Sequence, residues 1–278
     1  SPAGPCRAVT GCTPELRRDA ARLAIGINGV LGDGHYANNV MEAAVLAALV
    51  AAGIDLAELT IEDLAPIDEF HIGGRKFTLE LARQLDLDAT LQVLDVGCGL
   101  GGASRCLATE YGCQVTGIDL CADYCRVASR FARHLGLDAR VSYQHGNALD
   151  LPFADAAFDL LWTQHAAMNI ADKDRLYAEI RRVLKPGGRL ARFDVVAGAV
   201  GPVHFPVPWA REPGISHLLS PQQLRDTVQK AGFEVLSWQD ATEKGRAWFG
   251  RMGARIQRDG LPRLGIHLLL GDDFRVMA

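Results

Sequence analysis

Apolar residues recur at helical spacing over 14–26 and 39–52, each run ending on a glycine, and again over 78–87. Three helices are therefore expected in the first ninety residues. Between the first two lies a glycine-rich stretch, 29–36, ending in His35 and Tyr36, that fits neither a helix nor a strand period. The third helix follows Asp68-Glu69-Phe70-His71-Ile72-Gly73-Gly74-Arg75. From about residue 90 the pattern changes. Short apolar runs at 91–96, 114–120, 140–145, 158–163 and 188–196 read as strands. They alternate with amphipathic helices that run through Tyr111, over 123–135 and over 173–184. After a proline-rich, irregular stretch at 203–220 come a helix (221–231), a strand (234–238), a helix (244–257) and a last strand (264–270). Strands alternating with helices of ten or more residues predict βαβ units in an α/β, doubly wound, mostly parallel sheet covered on both faces. The expected division is an N-terminal helical cap at 1–90 and a core at 91–278.

Composition narrows the class. Hydrophobic residues make up 49% and charged residues 22% of 278, which excludes disorder and low-complexity scaffolds. No period of 20–50 residues is visible, which excludes solenoids and propellers. A net charge of −4 lacks the basic excess of a general nucleic-acid binder, so no nucleic-acid partner is expected. The longest near-apolar run, 43–54, spans 12 residues, too few to cross a bilayer, and no signal-like pattern precedes the cap; a cytoplasmic protein with no membrane partner is expected. The seven cysteines (Cys6, Cys12, Cys98, Cys106, Cys113, Cys121, Cys125) form no CxxC pair. They read as free thiols in a reducing compartment, with no metal expected.

The chemistry concentrates in Asp95-Val96-Gly97-Cys98-Gly99-Leu100-Gly101-Gly102, between an expected strand and an expected helix. Gly97, Gly99 and Gly102 satisfy a GxGxxG spacing, and Asp119, 24 positions beyond Asp95, ends the next strand. In a doubly wound sheet an acid there takes the hydroxyls of a ribose. The combination points to an adenosine-type ligand; glycines that only permit a tight turn are the alternative. A nicotinamide cofactor would set a pyrophosphate at the helix N-terminus, against the charge of Asp95. A ligand carrying an ammonium and a sulfonium gains from that charge, which favours S-adenosylmethionine.

Val93-Leu94-Asp95-Val96-Gly97-Cys98-Gly99-Leu100-Gly101-Gly102, Val115-Thr116-Gly117-Ile118-Asp119-Leu120, Gly146-Asn147-Ala148-Leu149-Asp150-Leu151-Pro152-Phe153, Phe158-Asp159-Leu160-Leu161-Trp162 and Val183-Leu184-Lys185-Pro186-Gly187-Gly188 follow one another in the order and spacing of a known family. The stretch of about 90–240 resembles a class I S-adenosylmethionine-dependent methyltransferase. Trp162-Thr163-Gln164-His165 through Asp172-Lys173, with the helical cap, is similar to the sarcosine/dimethylglycine methyltransferase-like group of small-molecule enzymes. The resemblance implies a Rossmann-like methyltransferase fold with a substrate lid inserted at 200–220, after the fifth strand. It implies that Gly97, Cys98 and Gly99 offer backbone to the methionine end of the cofactor and that Asp119 binds both ribose hydroxyls. Leu120 would pack on the adenine, with Asn147, where the family more often has Asp, and Ala148 at its edge. Gln164 would face the methionine moiety, and Arg75 is a candidate partner for its carboxylate.

Methyl transfer is an in-line displacement, so the protein must align donor and acceptor and exclude water. A base is needed only where the acceptor carries a proton. His165 is the candidate catalytic base, since it follows the fourth strand at the end where open α/β sheets bind ligands. Tyr36, His71, Asn169, Trp209 and Arg211 are the candidate substrate residues. Aromatic rings with an arginine suit a small zwitterionic or carboxylated acceptor, and a homodimer is left open. The expected reaction is methyl transfer to a small-molecule amine or amino-acid-like nitrogen. The alternatives are O- or C-methylation of a phenol, quinol or polyketide, a nicotinamide-dependent oxidoreductase, and a silent protein that only binds the cofactor.

Overall fold

The computed structural model describes residues 6–13, 40–69, 71–198, 201, 203–207, 209–265 and 267–270. The expected helix at 14–26 and the loop at 29–36 lie outside these residues. Seven parallel strands form one sheet: β1 (Cys6–Thr13), β2 (Gln92–Val96), β3 (Gln114–Asp119), β4 (Val141–His145), β5 (Phe158–Gln164), β6 (Leu184–Val195) and β7 (Phe233–Asp240). Their order is β4-β3-β2-β5-β6-β1-β7. From β2 the chain steps outward through β3 and β4, then returns to lay β5 on the other side of β2. The topological switch point therefore falls between β2 and β5, and open sheets of this kind bind ligands outside the carboxyl ends of the strands there.

The central strands are covered on both faces, which is why β2 and β5 are buried at consecutive rather than alternating positions. Leu94, Leu161, Ile180, Val183, Leu190 and Val228 pack on one face, and Leu107, Val115, Leu160, Trp162, Ala191 and Phe193 on the other. The covering helices include α4 (Gly102–Tyr111), α5 (Ala122–His134), α6 (Lys173–Val183), α7 (Pro221–Lys230) and α8 (Thr242–Asp259). Their boundaries follow from local chemistry. Asp172 accepts the Arg175 N–H to start α6, and Ser220 forms a capping box with Gln223 at the start of α7.

In the cap, α1 (Val40–Ala51), α2 (Ile61–Asp68) and α3 (Arg75–Ala82) precede the core. Val45, Leu49, Leu64 and Ile67 pack on Tyr124, Val127 and Phe131 of α5 and on Leu100 of the glycine loop. A buried ion pair between Asp68 and Arg105 fastens the end of α2 to α4, and Glu42 pairs with Arg130. The cap is thus bolted to the glycine-loop helix itself.

Five elements differ from the sequence reading. β1 comes from a stretch read within the helical cap, yet pairs with β6 and β7. The helix α2 has no counterpart in the reading, and α3 begins three residues early, at Arg75. The fifth expected strand starts at Leu184 because Lys185-Pro186-Gly187-Gly188 is taken into β6 as a register irregularity: Phe158 pairs with Leu184, and Leu160 already with Arg189. The expected strand at 264–270 is corrected, since His267–Leu270 is the short helix α9. Among the described residues no helix is long and apolar enough to cross a membrane.

Candidate active site

At the switch point the loops after β2 and β5 close on each other. Gly97 has φ 77°, and a Cβ there would lie 2.2 Å from the Cβ of Ala166, so only glycine permits the approach. Asp119 ends β3 with Oδ2 accepting the Gly99 N–H and Oδ1 the Cys121 N–H, both at 2.9 Å. Burial raises its carboxyl above the ordinary value, against the pull of those bonds. Both oxygens keep lone pairs for further donors. The next residue, Leu120, is 70% exposed, an uncovered apolar platform at the carboxyl end of β3.

Asp95 lies beneath the loop, its Oδ2 accepting the Ser104 hydroxyl at 2.6 Å. Burial lifts its carboxyl to about 7; the Ser104 bond opposes that rise and the Asp119 charge adds to it. Cys98 is buried, and burial raises its thiol, so this position offers the loop's backbone rather than a nucleophile. Asn147 is exposed and its Oδ1 accepts the Leu149 N–H at 2.9 Å, shaping the turn that carries it. Ala148 packs against the core beside it.

The β5 loop supplies the polar wall. Trp162 Nε1 donates to Gln164 Oε1 at 2.9 Å. An indole N–H can only donate, so it fixes which end of the amide is oxygen. Gln164 Nε2 is left buried with no partner among the described residues, a donor group awaiting an acceptor. His165 adopts φ 53°, strained backbone of the kind that gathers at functional sites, and its N–H bonds Phe193 O at 2.8 Å. Its ring lies 5.0 Å from Phe193 and 6.0 Å from His71, centroid to centroid. Burial, aided by His71, holds its imidazole well below 6.5, so it is neutral at pH 7. Its Nε2 is buried without a partner among the described residues.

His71 therefore joins His165 at the site. Asn169 and Trp209 are brought together in another way. Both amide N–H groups of Asn169 are committed, to Trp209 O and Ile215 O at 2.7 Å each, and Trp209 Nε1 bonds Ser216 Oγ at 2.9 Å. Asn169 is thus an anchor of the proline-rich segment through its amide N–H groups. Trp209 packs toward the cluster containing Phe193, and Arg211 is half-buried on the same segment. Arg75 donates from Nη2 to Glu110 at 2.7 Å, with Glu62 at 3.1 Å and Glu69 at 3.9 Å, while its Nη1 is buried with no hydrogen-bond partner among the described residues. Tyr36 lies outside the described residues. The sequence reading missed Glu69, Thr78, Trp162 and Phe193 as site residues; the one legible trace is the acid pair Asp68-Glu69 just ahead of His71.

A glycine loop, a ribose-type acid and an unpartnered polar wall at the switch point define an α/β enzyme of the doubly wound, nucleoside-cofactor class. A family model described as a methyltransferase domain matches residues 94–192. Methyltransferase GfsG of Streptomyces halstedii is 35% identical over 66% of this chain and 67% of its own length. O-methyltransferase resE of Aspergillus sclerotiorum is 31% identical over 66% of this chain and 70% of its own. The crystal structure of the [4+2]-cyclase SpnF superposes with a TM-score of 0.57 at 31% identity, covering 73% of this chain and 74% of that one. The chain belongs to the class I S-adenosylmethionine-dependent methyltransferases, and S-adenosylmethionine is its cofactor. Relatives are named for transfer to nitrogen, oxygen and carbon alike, including sarcosine/dimethylglycine N-methyltransferases.

Proposed function

We propose that this methyltransferase acts on a hydroxyl oxygen of a small organic acceptor, with His165 as the base. S-adenosylmethionine supplies an electrophilic methyl group on a sulfonium. Its ribose hydroxyls would donate to Asp119 and its adenine would rest on Leu120, with Asn147 and Ala148 at the edge. The Gly97–Gly99 backbone would line the methionine end, with Gln164 Nε2 donating to the carboxylate there. Arg75, whose Nη1 is buried without a hydrogen-bond partner among the described residues, would be a second donor to that carboxylate.

The observation that carries the choice of oxygen is the buried, unpartnered Nε2 of a neutral His165. A hydroxyl must lose its proton as the methyl arrives, and a neutral imidazole within reach can take it. An amine that sheds its proton before binding needs no such group, so the geometry favours oxygen over the nitrogen expected from sequence. Phe193 and Trp209 would give the acceptor an apolar wall, and Asn169 would hold the segment that covers it.

The test is mass spectrometry of products from matched phenol and amine acceptors, with wild type and His165→Ala. Methylated phenol that falls by about a hundredfold or more in the variant supports the proposal. Methylated amine with undiminished turnover in the variant overturns it.

A further inference from the structure

The methyltransferase assignment leaves unused a buried carboxylate beside the site. Glu69 ends α2 with a side chain only 1% exposed. Its place is built into the glycine loop: a Cβ on Gly102, the last glycine of the GxGxxG spacing, would lie 2.6 Å from Glu69 Cγ. The carboxylate thus rests at the first turn of α4, where the helix dipole favours negative charge. Glu69 Oε2 accepts the Thr78 hydroxyl at 2.5 Å and lies 3.3 Å from His71 Nε2. On the other edge of the same ring, His71 Nδ1 is 3.2 Å from Ile72 O. A neutral ring carries one N–H, and the carboxylate, the stronger acceptor of the two, sets it on Nε2. Thr78 Oγ1 also lies 3.1 Å from His71 Nε2, so the hydroxyl whose proton goes to Glu69 can accept from the same ring N–H.

We propose that Glu69 is a positioning residue for methyl transfer, fixing the His71 ring beside His165 as a wall that orients the acceptor toward the His165 imidazole. This rests on the hydroxyl reading above. His71 would touch the acceptor, while Glu69 would act only through His71 and Thr78. The groups facing His71 account for the assignment. Glu69 and Thr78 lie at Nε2, Ile72 O at Nδ1, the His165 ring at 6.0 Å and the Phe193 ring edge-on at 6.4 Å. Asp95 contributes a more distant charge. Of these, only Glu69 is a carboxylate bonded directly to the ring. The buried ion pair Asp68–Arg105 holds the end of α2 in place independently, so a change at Glu69 need not release the cap.

The test compares wild type, Glu69→Gln and Thr78→Val, each loaded with S-adenosylhomocysteine. Calorimetry should find its affinity unchanged within about threefold, since neither residue is assigned to the cofactor. In ¹⁵N-histidine spectra the wild-type His71 Nε2–H should be protected from solvent exchange. That signal should be lost in Glu69→Gln and weakened in Thr78→Val. With catechol as the hydroxyl probe, kcat should drop by up to about a hundredfold while the KM for S-adenosylmethionine stays near wild type. A Glu69→Gln protein that binds S-adenosylhomocysteine normally and keeps the protected His71 signal overturns the proposal, whatever its turnover. Failure of the hydroxyl reading would show elsewhere, as full transfer in His165→Ala, and leaves the His71 signal free to report on Glu69.

Discussion

The Trp162 indole and the Gln164 amide, two residues apart on β5, meet at 2.9 Å, and that single bond decides which way the amide faces the cofactor crevice. With its oxygen held by the indole, Gln164 presents two N–H donors to the site. Gln164→Ala should weaken S-adenosylmethionine binding by about tenfold, the worth of a hydrogen bond to a charged group. Gln164→Glu should weaken it further, because a carboxylate would face the cofactor's own. Calorimetry on the two folded variants gives the ordering directly.

Asp119 is braced by two backbone N–H groups before any ligand arrives, so it is oriented for ribose hydroxyls in advance. Asp119→Ala should weaken S-adenosylmethionine by about tenfold or more while thermal stability changes little, because burial already disfavours the charged group. Unchanged affinity in a folded variant would remove the ribose role.

Asp95 links the site to pH. Its carboxyl is raised from 3.8 to about 7 in the folded chain, mainly by burial, so the native state holds this proton more tightly than the unfolded state does. Its contribution to stability is therefore largest on the acid side. It falls as pH rises from about 4 to about 7 and is flat above that. The positive charges of the bound cofactor favour the carboxylate. Affinity should accordingly rise with pH, by up to about tenfold per unit below 7 for one released proton, and level off above it. Calorimetry in buffers of different ionisation enthalpy should detect that proton, and Asp95→Asn should abolish the slope.

Gly102 is a joint between cap and core. A Cβ there would also meet Asp68 O at 2.7 Å, and neither that backbone atom nor the buried Glu69 can yield cheaply. Gly102→Ala should cost about 1–3 kcal/mol as an overpacking change, read as a melting temperature several degrees lower.

Much of this was legible in the chain. The runs that became β2 and β5 are buried at consecutive positions, so their pattern has no competing period. Asp119 and the glycine loop declare themselves by spacing. The missed elements have physical causes. In α2, Pro66 and a cluster of acids hide a helix whose stability comes from packing Leu64 and Ile67 on α5 and from the Asp68–Arg105 pair. Over 264–270 a short apolar run cannot distinguish a strand from a helix. Arg75 reads as an anion binder in one dimension, and the fold alone shows that Glu62 and Glu110 take one side of its guanidinium while Nη1 stays without a hydrogen-bond partner among the described residues. Glu69 is legible only as an acid near a histidine, since its role depends on Thr78 and Gly102 arriving from α3 and α4.

The central claim is methyl transfer to oxygen with His165 taking the proton. It is tested most directly with S-adenosylmethionine carrying a ¹³C-labelled methyl group, offered with an equimolar phenol and amine, and read by NMR of the products. The account predicts label on oxygen in wild type and a loss of about a hundredfold or more in His165→Ala, with S-adenosylhomocysteine affinity retained. Label found on nitrogen, formed as fast by His165→Ala as by wild type, would contradict it.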